Sequence, residues 1–299
     1  VPTDLADWQY DMAGALMGLG TVVDVIDVTG LGRAPVRDSD IDQPGADGVF
    51  PGPDYWAGRQ VQFDAAVKTP GDPAAAQDAV AALQAGAADP AVRLVGGAVT
   101  TLRIKRPGRP TKVLYGRVRK VDPTDENLLH GYVPLNIEFL ATDAIFYADT
   151  DSVVEIPLGW LSGGGFTAPV QAPIHVTSGS TPADRPGWVF NNGDTDTYPV
   201  IRITGPCSNV TVIHVESGRT LALPTLVLTA GQWVELDARP GRNSVLRDNG
   251  GNAETYLSAA SRLDLFFLPP GRSEMRWTAV DPTNTSRLRL TWRDAYQAL

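Results

Sequence analysis

The sequence has one cysteine, Cys207, in 299 residues. A lone cysteine excludes an intramolecular disulfide and fits assembly in a reducing cytoplasm; its ordinary role is that of a small buried hydrophobe. No apolar run approaches the ~20 residues that a membrane-crossing helix needs, so no membrane insertion is expected. The opening Val1-Pro2-Thr3-Asp4 lacks the positive and apolar regions of a signal peptide. Histidine is scarce as well. His130, His175 and His214 stand far apart, and no His-x-x-x-His or Cys-x-x-Cys spacing occurs. Asp38, Asp40 and Asp42 alternate like the start of a calcium loop, but no glycine follows at the sixth position and no glutamate at the twelfth. There is no Gly-x-Ser-x-Gly for an activated serine. Glu216 and Glu235 are the carboxylates a glycosidase reading would use, and both read as outward-facing. No catalytic, metal or cofactor site is expected, and the chain does not read as an enzyme.

Glutamate is absent from the first 92 residues, which carry fourteen aspartates against Arg33, Arg37, Arg59 and Lys68. Residues 93–121 reverse this, with nine basic residues and no acid. The net charge of −9 argues against general nucleic-acid affinity, which needs clustered cations that release counterions from phosphate. The segregation has two readings. One is a pair of solvated faces. The other is a head-to-tail contact in which the basic hairpin of one subunit meets the acidic arm of the next; such heterologous contacts close into rings, and complementary charge fixes their register.

What is present is β pattern. Val22, Val23, Val25, Ile26 and Val28 form an apolar strand, followed by a turn at Gly30-Leu31-Gly32 and then Val36-Arg37-Asp38. A long polar arm runs from Asp40 to Gly52, too rich in Gly, Pro and Asp for a simple hairpin turn. The return strand alternates, with Val61, Phe63, Ala65 and Val67 on one face and Gln60, Gln62 and Asp64 on the other. Trp8 to Leu19 reads as a first strand and turn. Asp72-Pro73 predicts a helix start, and Ala76, Val80, Leu83 and Ala87 one short amphipathic helix ending near Asp89-Pro90. Val99 to Ile104 and Lys112 to Val121 flank the basic tip Arg106-Pro107-Gly108-Arg109-Pro110 and predict a hairpin. With only Tyr115 as an aromatic, it lacks a stacking platform for single-stranded nucleic acid. Val133, Leu135, Ile137 and Phe139 form the inward set of a further strand, and Phe146-Tyr147 closes the domain. About six strands and one helix predict a β-barrel-like sheet with one flanking helix over residues 1–156.

From Pro157 the composition shifts. Residues 157–165 read as a Gly-rich linker and residues 166–299 as a second domain, with Ile174-His175-Val176 as a possible edge strand. Strands are expected at Val200 to Thr204, Val210 to Val215, Trp233 to Asp237, Leu263 to Leu268, Met275 to Val280 and Arg287 to Trp292. Short strands separated by Gly, Pro and Asn turns predict a β-sandwich. The fold class is mainly β throughout.

Several of these stretches together resemble the distal tail protein of long-tailed, non-contractile phages. In the first domain they are Gly30-Leu31, Val36-Arg37, Asp47-Gly48 and Arg59-Gln60-Val61-Gln62-Phe63. In the second they are Asn191-Asn192-Gly193-Asp194, Pro199, Ile201, Gly205-Pro206, Leu228, Gly231, Leu236-Asp237, Leu268-Pro269-Pro270-Gly271 (one proline longer than the family pattern) and Trp292-Arg293-Asp294-Ala295-Tyr296. The resemblance implies a ring-forming, tail-tube-like first domain and a galectin-like β-sandwich. It implies a hexameric ring that joins the tail tube to the tail hub or receptor-binding proteins and lets DNA pass without specific binding. The protein would be a virion component at the tail tip, made in the host bacterial cytoplasm. Charge and loop length then select the candidate subunit contacts: Arg37, Asp38, Asp40, Asp42, Asp47 and Arg59 around the arm, with Arg103, Arg106, Arg109, Arg117 and Arg119 on the hairpin. The alternative is a carbohydrate-binding adhesin. The sugar-binding run of true galectins is not carried over in His214-Val215-Glu216-Ser217-Gly218-Arg219, although Trp188, Trp233 or Trp277 would offer a ring to stack on a sugar.

Overall fold

The computed structural model describes residues 4–158 and 187–299. The chain divides into two compact units, one running to Asp149 and including Tyr296–Leu299, the other Thr150–Ala295.

The first unit opens with a hairpin, β1 (Gln9–Met12) and β2 (Ala15–Gly18), followed by β3 (Val23–Thr29). Four two-residue strands make up the arm: β4 (Val36–Arg37), β5 (Ile41–Asp42), β6 (Val49–Phe50) and β7 (Tyr55–Trp56). Then come β8 (Gln60–Lys68), the helices α1 (Pro73–Ala87) and α2 (Pro90–Arg93), and β9 (Thr100–Ile104), β10 (Lys112–Pro123), β11 (Tyr132–Ala141) and β12 (Phe146–Ala148). The main antiparallel path is β2-β1-β9-β10-β11-β8-β3. Its two end strands are consecutive in the chain, so the sheet curls back toward itself.

The alternation read from the sequence sets the register. Val61, Phe63, Ala65 and Val67 stand directly opposite Phe139, Ile137, Leu135 and Val133, and all eight are buried. Cross-strand apolar pairs of this kind are the unit of sheet stabilisation. Helix α1 begins where expected: the Asp72 carboxylate accepts from the Ala75 amide at 3.0 Å, and Pro73 occupies the first turn. It sends Ala76 and Leu83 into the same core. The additional single-turn helix α2 is capped by Asp89 in the same way.

The second unit holds β13 (Ser152–Pro157), β14 (Trp188–Asn191), β15 (Val200–Thr204), β16 (Cys207–His214), β17 (Arg219–Leu228), β18 (Trp233–Asp237), β19 (Ser244–Arg247), β20 (Gly271–Val280) and β21 (Arg287–Trp292). One sheet has the order β13-β21-β15-β18-β19, the other β14-β20-β16-β17. Ile201, Leu236 and Leu290 from the first and Val212, Leu223 and Trp277 from the second share one core, making a β-sandwich. Trp277 is fully buried and its indole N–H donates to the Ile156 carbonyl at 3.0 Å.

Two sequence expectations change. Leu263 to Leu268 is not a strand: Leu263–Leu265 is a 3-10 turn, and only Leu268 bridges to Thr197. The compact units part at Thr150 rather than at the composition shift after residue 156, because β13 pairs along the whole of β21. Residues 159–165 of the expected linker, and the strand-like Ile174 to Val176, lie outside the described residues.

Candidate subunit interface: the arm and the basic hairpin

The arm is rooted by a buried arginine. Gly30 has φ +84°, and a Cβ there would lie 1.9 Å from the Gln60 carbonyl oxygen, so the turn that launches the arm requires glycine. Arg59 holds that turn from inside. Its guanidinium donates to the carbonyls of Gly30 (3.0 Å), Gly32 and Ala144 (3.0 Å), and it stacks over the Phe146 ring at 4.5 Å. Burial pulls the Arg59 pKa below its ordinary value, and the nearby Asp143 carboxylate opposes that shift. Asp143 is itself raised by burial, against hydrogen bonds from the Ile145 amide and Tyr147 hydroxyl. Arg59 is therefore a structural anchor enclosed within the subunit. This corrects its expected place among residues facing a neighbour.

Beyond the root the arm is a narrow ribbon. Val36 pairs with Trp56 and Arg37 with Tyr55; further out, Ile41 pairs with Phe50 and Asp42 with Val49. The Asp40 carboxylate accepts from the Gly52 amide at 2.8 Å, and a Cβ on Gly52 would meet the Ser39 carbonyl oxygen at 2.3 Å. Arg33 lies over the Trp56 ring at 5.1 Å. Arg37, Asp38, Asp40, Asp42 and Asp47 are all exposed. So are the apolar side chains: Ile41 is 66 % exposed, Phe50 57 % and Trp56 45 %. The charge count passed over these residues. Their signal in the sequence is a set of large apolar residues, Ile41, Phe50 and Trp56, in a stretch too rich in Gly, Pro and Asp for a core strand. Two-residue ladders have little stability of their own in water, and a contiguous exposed apolar patch marks an interaction surface.

The basic hairpin divides into spent and free cations. Arg103 is buried and makes a bidentate pair with Asp149 (2.9 and 2.6 Å) and a third bond to Asp11 (3.1 Å). It belongs to the subunit interior, a second correction to the expected contact set. Arg106 stacks over Trp8 at 4.6 Å and donates to the Tyr10 hydroxyl. Arg117 donates to the carbonyls of Val95 (2.7 Å) and Ala98 (2.9 Å). Arg109 and Arg119 remain exposed. Arg119 sits where the β10–β11 register shifts between Val118 and Lys120.

The residues considered for chemistry or sugar binding are committed elsewhere. Glu216 accepts the Glu274 amide on both oxygens at 2.9 Å, and Glu235 pairs with Arg202. Guanidinium groups cover Trp188 (Arg272, 4.0 Å) and Trp233 (Arg202, 4.2 Å). Burial pushes the Cys207 thiol up to about 11, with the Asp281 charge adding to the effect. His214 is buried, lowered by that burial, and joined through Nδ1 to the Ser217 hydroxyl at 2.7 Å. Among the described residues no group of three or more His, Cys, Asp or Glu side chains is placed to hold a metal ion.

No protein-family model matches this sequence, and no curated protein matches it. Solved structures do. The Dit protein (gp 19.1) of phage SPP1, described as a paradigm of the hub adsorption apparatus in Gram-positive-infecting phages, aligns with TM-score 0.60 and 15 % identity, covering 95 % of this chain and 97 % of its own. Chains of the phage P2 baseplate in its activated conformation, with calcium or with strontium, align with TM-scores of 0.56 and 0.55 at 11 % identity, over the same shares. The alignment covers nearly the whole of both chains, so this chain has the fold of the phage distal tail protein that SPP1 Dit represents.

Proposed function

We propose that this chain is a structural component of a phage virion, the ring at the distal end of the tail that joins the tail tube to the receptor-binding apparatus. The observation that carries the reading is the arm, a ribbon on which Ile41, Phe50 and Tyr55 are each more than half exposed. Head-to-tail use of one such arm by the next copy closes a ring; six copies is the number that the family resemblance implies. The tail tube would sit above the ring, and hub or receptor-binding proteins below. Aspartates facing a central channel would repel phosphate and let DNA pass without holding it. The second unit, a sandwich without an assigned site, serves as a docking or stabilising module.

Sedimentation of the full chain at low and high salt tests this. A six-chain species that weakens as salt rises supports a charged head-to-tail seam. Arg119→Glu should weaken that species further, because Arg119 is an exposed cation with no ion pair among the described residues. A species that ignores both salt and Arg119→Glu would remove charge from the contact.

A further inference from the structure

The arm needs a seat, and its chemistry says what kind. Between Val36 and Trp56 it carries five aspartates and one arginine, interleaved with exposed apolar side chains. Its complement on a neighbouring copy must be apolar and basic. The other exposed apolar side chains of the first unit stand in different surroundings. Ile26 precedes Asp27, and Leu129 follows Asp125 and Glu126; these surfaces would repel the arm. Leu16 stands opposite Asp11 and Val22 two residues before Asp24, and the cations there, Arg103 and Lys68, are already paired with those carboxylates. Leu19 bonds through its amide to the Trp8 carbonyl, and Arg106 already occupies the Trp8 ring and bonds to Tyr10.

Leu94 and Val95 differ. They are 71 % and 53 % exposed and follow Arg93 at the end of α2. The turn that carries them is held from below, since Arg117 donates to both the Val95 and Ala98 carbonyls. Arg93 and Arg119 are exposed and make no ion pair among the described residues. An apolar knob fixed by Arg117, preceded in the chain by exposed Arg93 and with exposed Arg119 two residues along β10 from the arginine that fixes it, matches an apolar, acidic ribbon. We propose that the arm of one copy seats on the Leu94–Val95 turn of the next, with the Ile41–Phe50 pair against Leu94 and Val95 and the arm's aspartates toward Arg93 and Arg119. This rests on the ring reading and names the partner surface of the arm. It also gives Arg117 a positioning role: it shapes the seat without touching the neighbour.

Paired cysteines test the seat in the full chain, because the native Cys207 is buried. The double variant Phe50→Cys/Leu94→Cys should form disulfide-linked oligomers under mild oxidation. Phe50→Cys/Arg109→Cys, aimed at the hairpin tip, should not. Leu94→Asp/Val95→Asp should raise the dissociation constant of assembly at least about tenfold while leaving the circular dichroism spectrum unchanged. Protein that assembles by light scattering but cross-links through Arg109→Cys and not Leu94→Cys would overturn the seat and leave the ring intact. Protein that neither assembles nor cross-links at any concentration would overturn both.

Discussion

Replacing Arg59 by alanine removes three hydrogen bonds at once, and their surroundings set the cost. The Ala144 carbonyl is bonded in a buried setting; losing a charged donor there costs about 1.5–3 kcal/mol. Gly30 and Gly32 lie in an exposed turn, where water can rehydrate their carbonyls, so each adds roughly 0.5 kcal/mol. The lost cation over Phe146 adds about 0.5–1 kcal/mol. The sum is roughly 3–5 kcal/mol, and at about 2–4 °C per kcal/mol for a unit of this size the first unit should melt on the order of 10 °C lower. The effect should be uneven as well. Hydrogen exchange followed by mass spectrometry should show residues 33–56 opening far more readily, while the β8–β11 ladder changes only by the global loss. Arg59→Lys keeps the charge but cannot reach three carbonyls, and should fall between wild type and alanine. Arg59→Ala with an unchanged melt and unchanged exchange in the arm would refute the anchor.

Other consequences follow from single groups. Cys207, with its thiol pushed to about 11, should resist a thiol reagent at pH 8 in the native protein and react after denaturation; fast native labelling would contradict its burial. Burial lowers the His214 pKa, so below the ordinary value the unfolded chain takes up a proton that the folded chain resists. Stability should therefore fall as pH drops from about 6.5, and His214→Gln should remove that component of the melting-temperature profile; identical slopes in both proteins would exclude it. Trp277→Ala empties a fully buried site and removes the indole N–H that donates to the Ile156 carbonyl. It should cost about 3–5 kcal/mol in denaturant unfolding of the second unit, and a loss below about 1 kcal/mol would mean that the site collapses around the smaller side chain.

Periodic burial was legible in the sequence. Strand β8 and the Val133 to Phe139 set alternate, and so do their burial patterns apart from the small Ala66, because one face of each meets the core. The helix start at Asp72-Pro73 was legible for a local reason: cap and proline act within one turn. Leu263 to Leu268 misled because a run of apolar residues does not distinguish a strand from a compact turn that points Leu263, Phe266 and Leu268 inward. Strand β17 was missed because Pro224 and Thr225 interrupt its inward set of Leu221, Leu223, Leu226 and Leu228, opposite a register shift in β16.

The candidate interface was half legible. Charge counts located the arm and the hairpin but could not tell a surface arginine from an interior one. Arg103 finds Asp149 46 residues away, and Arg59 finds Ala144 85 residues away; such partners exist only in the fold. The apolar residues of the arm were hidden for the converse reason. In sequence, Ile41 and Phe50 look like core residues, and only the pairing shows that no core reaches them.

The most direct test of the account is the solution mass of the full chain beside a variant whose residues 40–52 are replaced by a short Gly-Ser turn. Light scattering should give about six times the 31.9 kDa chain mass for the intact protein and a single chain for the variant. Equal masses would contradict the account: two hexamers would take the arm out of the contact, and two monomers would take away the ring.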